Sequence, residues 1–129
     1  MFKILLVSPA QDDLSDLASA LVAIGDVALS RAESAETALK LVQEETVDLL
    51  IASEDLSDMT GLDFVARLVT VNPLINCAVV SQLEPEAFHE AGEGLGVMAQ
   101  LPANPGKEHA KSLLQRLAYI KNLTSGGKG

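Results

Sequence analysis

The sequence predicts a doubly wound α/β fold, a five-stranded parallel sheet with helices on both faces. Three observations carry this expectation. Apolar runs of strand length alternate with helical patterns five times along the chain. Val47 to Ser53 and Cys77 to Val80 are nearly unbroken apolar runs, as a parallel strand buried on both faces requires. The 129 residues leave room for one domain with one core, and right-handed crossovers then cover both faces of a single sheet.

Each element follows from its own residues. Lys3 to Ser8 reads as the first strand. Ser8-Pro9-Ala10-Gln11 carries the capping serine, first-turn proline and third-position glutamine of a helix start, so that strand is expected to feed directly into a helix. Leu14, Leu17, Ala18, Leu21 and Ile24 recur at helical spacing until Gly25 stops the pattern. Val27, Leu29 and Arg31 give a short second strand, and Ser34 opens a helix carrying Ala38, Leu39 and Val42. After the third strand, Val47 to Ser53, the third helix places Leu62, Val65, Ala66 and Val69 on one face and closes at Asn72-Pro73. Cys77 to Val80 is the fourth strand, Glu84 to Ala91 a short helix and Gly96 to Leu101 the fifth strand. Ala110, Leu113, Leu117 and Ile120 form the buried stripe of the last helix. Tyr119 falls nearly opposite that stripe, with Lys107, Lys111 and Lys121 on one flank and Arg116 on the other.

Composition narrows the function. The net charge of -9 and a sequence pI near 4.5 argue against general affinity for phosphate backbones or anionic lipid, so neither nucleic acid nor membrane is an expected partner. Acidic residues run through Glu93 and only Glu108 follows, which makes the last helix a basic element on an acidic body. Cys77 is the single cysteine, so no intrachain disulfide or cysteine-cluster metal site can form. A reducing, cytoplasmic setting is expected. Gly92, Gly94 and Gly96 follow a helix and precede a strand, the reverse of a dinucleotide fingerprint, and read as a turn.

Asp48 to Gly61 is the most informative segment, an apolar run that ends in small and acidic residues before a glycine. It resembles the third strand and following loop of response-regulator receiver domains, where a phosphate-accepting aspartate ends the strand and a glycine follows eight positions later. The resemblance spans Phe2 to about Leu123 and implies the flavodoxin-like strand order 2-1-3-4-5, with residues 1–123 as the domain and 124–129 as a flexible tail. Counting back from Gly61 puts Ser53 at the acceptor position. Matching Val7, Leu17, Leu21 and Gly25 to the family's spacing puts Ser8 and Pro9 where two metal-binding carboxylates would stand. Ser81 matches the switch hydroxyl. The family's lysine before a proline is replaced by Leu101 or Asn104, whichever proline is matched, and the fifth-strand aromatic is absent.

Phosphoryl transfer to aspartate needs a carboxylate nucleophile, oxygen ligands for magnesium and a balancing cation. The resemblance therefore implies a degenerate receiver with no catalytic residues, no enzymatic activity and a lost magnesium site. The degenerate positions are Ser8, Pro9, Ser53, Asp55 and Ser81. Ser53 is expected to satisfy its hydroxyl against nearby backbone, and Glu54 to point away from it by strand alternation. His89 and His109 fall on helices and are not placed to activate Ser53. The expected function is a phosphorylation-independent module of bacterial two-component signalling that works through protein–protein contact, with a signalling protein such as a histidine kinase or output protein as its partner. The alternatives are phosphorylation at Asp55 and a small-ligand sensor using a pocket between Ser8, Ser53 and Ser81. The fourth helix, fifth strand and fifth helix form the expected interaction face. Glu86 and Glu90 there oppose Lys107, Lys111 and Arg116 about a two-fold axis, with Tyr119 as an anchor.

Overall fold

A computed structural model of the chain describes residues 2–9, 14–25, 27–56, 58–72, 75–92, 97–103 and 105–124, with 121–124 given by backbone alone. Its elements are β1 (Phe2–Val7), α1 (Ser15–Ile24), β2 (Val27–Ala32), α2 (Ala35–Glu44), β3 (Leu49–Ala52), α3 (Gly61–Val71), β4 (Asn76–Val80), α4 (Pro85–Ala91), β5 (Val97–Leu101) and α5 (Lys107–Thr124). The strands form one sheet in the order β2-β1-β3-β4-β5, and every pairing is parallel. The expected strand order and layering are those of the molecule.

Strict alternation along the central strands explains why they read as unbroken apolar runs. Leu5, Val7, Leu50, Ala52, Cys77 and Val79 enter a core shared with α2, α3 and α4. Ile4, Leu6, Leu49, Ile51, Ala78 and Val80 enter a second core shared with α1 and α5. Successive side chains on a strand point to opposite faces, so a sheet covered twice needs an apolar residue at every step. Of the rings, Phe64 and Phe88 are buried, both in the first core; the second is packed from aliphatic residues with Phe2 at its margin.

Several boundaries differ from the sequence reading. The first helix does not start at Ser8-Pro9: α1 begins at Ser15, behind Leu14, which caps it without a side-chain hydrogen bond. The Ser8 N–H instead donates to Ala32 O at 3.0 Å, extending the ladder by one residue, and this tertiary bond overrides the local capping signal. Ala10 and Gln11 lie outside the described residues. The third strand closes at Ala52 and excludes Val47, and Thr124, assigned to the tail, belongs to α5. Pro73, Glu93, Gly94, Gly96, Asn104 and residues 125–129 also lie outside the described residues. Ser34 caps α2 as expected, its hydroxyl accepting from Thr37 N, and Thr60 caps α3 in the same way through Asp63 N.

Candidate functional site

Ser8, Ser53 and Ser81 each follow directly on a strand at the carboxyl edge of the sheet, where ligands bind in doubly wound folds. Backbone bonds hold them there: Ser8 N to Ala32 O, Ser53 N to Val7 O at 2.9 Å and Ser81 N to Leu101 O at 3.0 Å. They are 4%, 3% and 5% exposed, and are the buried polar residues of the described chain. Pro9 follows, half-buried. Leu101 closes β5 opposite Val80, is buried in the second core and is followed by Pro102.

The three hydroxyls are not equivalent. Ser81 Oγ accepts from Leu83 N at 3.2 Å. Ser53 Oγ has no hydrogen-bond partner among the described residues, which corrects the expectation that it bonds to nearby backbone. The local donors are taken: Gly61 N donates to Glu54 O at 2.8 Å, Gln82 N to the Glu54 carboxylate at 2.9 Å and Leu83 N to Ser81. Gly61 is required here, because a Cβ at that position would collide with the Ser53 carbonyl oxygen and press on Val79. Glycine at the start of α3 lets the helix approach the end of β3.

Carboxylates of the β3–α3 loop work as backbone clamps. Glu54 turns to β4, its two oxygens taking Gln82 N at 2.9 Å and Gln82 Nε2 at 3.4 Å. Asp58 reaches the start of α2 and accepts from Ala35 N at 3.0 Å and Glu36 N at 3.2 Å. The Ala35 N–H is the main reason the Asp58 carboxyl is held below its ordinary value; partial desolvation opposes it, and the Glu36 N–H and Arg67 add to the lowering. Sequence reasoning missed both clamps. Asp55 is exposed, and its backbone forms an isolated bridge with Thr60.

A crevice of about 520 Å³ opens at this edge, lined by Glu54, Asp55, Thr60, Ser81, Gln82 and Leu83 over a floor of Leu62, Val79 and Val80. Of the three serines, only Ser81 lines it. Among the described residues no group of three His, Cys, Asp or Glu could hold a metal. Burial pushes the Cys77 thiol up to about 12, so it is an inert core group. His109 Nδ1 accepts from Gly106 N at the start of α5, and His89 lines the crevice between α4 and β5. Neither histidine lines the crevice beside Ser81.

On the α4–β5–α5 face Glu86, Glu90, Lys107 and Lys111 are exposed, and Tyr119 is 65% exposed. Arg116 is committed within the chain, donating to Met98 O of the edge strand β5 at 2.7 Å. It separates two crevices of about 330 and 440 Å³ that share Met98 as a wall. No helix among the described residues is long and apolar enough to cross a membrane.

No protein-family model matches the sequence, and no curated protein matches it at a significant level. Solved structures do match. A signal receiver domain of an HD domain-containing protein from Pseudomonas fluorescens superposes with a TM-score of 0.79 at 20% identity, covering 97% of this chain and 92% of that one. A two-component response regulator from Clostridium difficile gives 0.80 at 17%, covering 95% and 99%. A chemotaxis response regulator of Vibrio cholerae gives 0.78 at 20%, covering 91% and 98%. Likeness at such low identity is likeness of fold, and the chain has the flavodoxin-like fold of response-regulator receiver domains.

Proposed function

We propose that the chain is a receiver-like module of two-component signal transduction that acts through protein–protein contact and takes no phosphoryl group. The supporting observation is the carboxyl edge of the sheet: buried serines follow β1, β3 and β4, and buried Leu101 closes β5, so the acceptor, two metal ligands and the lysine are replaced together. These groups act as a unit in phosphoryl transfer, and a hydroxyl without an adjacent base is a poor nucleophile. The module is not an enzyme. Its partner is a signalling protein, a kinase or an output protein, docked on the α4–β5–α5 face, or a second copy of the chain on the same face.

An NMR titration with magnesium tests the reading of the edge. The expected result is no saturable shift at millimolar magnesium; shifts confined to Ser8, Ser53 and Asp55 would overturn it. A second reading, phosphorylation at Asp55, has one observation in its favour: Asp55 is exposed and lines the crevice beside Ser81.

A further inference from the structure

The β4–α4 loop, Ser81 to Glu84, joins the candidate site to α4. Loops of this kind usually leave main-chain groups to water. Here side chains from three directions take them. Gln82 N donates to Glu54 Oε2 at 2.9 Å, from the end of β3. Leu83 N donates to Ser81 Oγ at 3.2 Å, within the loop. Gln100 Nε2, from β5, donates to Ser81 O at 3.1 Å and to Leu83 O at 2.8 Å. The orientation of the Gln100 amide is fixed chemically, since both of its partners are carbonyl oxygens and can only accept. Ser81 N is held by Leu101 O, and Phe88 N by Glu84 O where α4 begins.

We infer that Glu54 and Gln100 fasten the β4–α4 loop in a single conformation, so that the chain itself, without any ligand, sets the position of α4. The Glu54 bond is charge-assisted and is reinforced by the second oxygen on the Gln82 amide. Glu54 thus supplies from within the chain an anion to the first main-chain N–H after the switch-position serine. Gln100 adds the counterpart, one amide nitrogen joining the start of the loop to Leu83 two residues on. Between them β3 and β5 grip the loop from both sides of β4. The face formed by α4, β5 and α5 is consequently presented in one arrangement. This inference stands apart from whether Asp55 accepts phosphate, because it concerns the loop in the absence of any ligand.

The test is amide hydrogen exchange and relaxation dispersion on the full chain, comparing wild type with Glu54→Ala, Glu54→Gln and Gln100→Ala. In wild type the Gln82 and Leu83 amides are expected to be protected, with no millisecond exchange from Gln82 to Gly92. Losing a hydrogen bond to a charged group changes an opening equilibrium by roughly tenfold at an exposed site. Glu54→Ala is therefore expected to speed Gln82 exchange by about that factor and to bring on dispersion across α4, and Glu54→Gln, which keeps an acceptor oxygen, to restore most of the protection. Gln100→Ala is expected to release Leu83. Unprotected Gln82 and Leu83 amides or millisecond exchange of α4 in the wild type would overturn the inference, as would unchanged exchange in both alanine variants. Should an alanine variant unfold, the wild-type data and Glu54→Gln decide by the same criteria.

Discussion

At the scale of single residues the three edge serines divide by their partners. A buried hydroxyl left unpaired costs about 1–3 kcal/mol, and Ser53 Oγ is such a group among the described residues. Ser53→Ala is therefore expected to leave stability unchanged or raise it by about 1 kcal/mol, read from urea unfolding at constant m. A loss beyond about 1 kcal/mol would show that the hydroxyl is bound in solution. Asp58 gives a pH signature. Its carboxyl is held below the ordinary 3.8, first by the Ala35 N–H, so its stabilising contact with α2 is complete above that value and is lost as pH falls through the lower folded-state one. The Ala35 and Glu36 amide resonances are expected to titrate together with a midpoint below 3.8, and Asp58→Asn to abolish that titration. A midpoint at or above 3.8 would mean that the clamp does not form.

Among the elements, the junction of β3 and α3 is closely packed at Gly61. A Cβ at Gly61 would have to displace the Ser53 carbonyl, which is backbone of a residue held to the sheet edge through its own N–H to Val7 O. Gly61→Ala is expected to cost about 1–3 kcal/mol by overpacking, seen as a lower urea midpoint. Retention of full stability would show that α3 can slide away from β3. The elements themselves were legible in the sequence because each central strand is buried on both faces and each helix carries one stripe, so burial alone wrote the pattern. The start of α1 was not. Ser8-Pro9 has the local chemistry of a helix cap, while the bond that keeps Ser8 extended comes from Ala32 on the neighbouring strand. The positions of Ser8, Ser53 and Ser81 after their strands could be read from the sequence, since each ends an apolar run of strand length. The clamps could not: Glu54 and Gln82 are 28 residues apart, and Asp58 lies 23 and 22 residues from Ala35 and Glu36, beyond any local periodicity. The empty hydrogen-bonding capacity of Ser53 was equally hidden, because it follows from neighbours already paired elsewhere.

For the whole molecule, the charge pattern and the edge chemistry lead to separate tests. Exposed Glu86 and Glu90 on α4 and Lys107 and Lys111 on α5 suit a two-fold arrangement in which each acidic helix meets its partner's basic one. Arg116 already serves Met98, so the lysines are the residues to reverse. Light scattering is expected to find a dimer that weakens in salt and in the Lys107→Glu/Lys111→Glu variant. A wild type that stays monomeric at high concentration, or a dimer indifferent to both changes, would assign the face to another partner. The proposed module takes no phosphoryl group, and intact mass after incubation with a small phosphodonor and magnesium tests this most directly. The mass is expected to stay unchanged; a stoichiometric phosphoryl adduct, above all one mapping to Asp55, would contradict it.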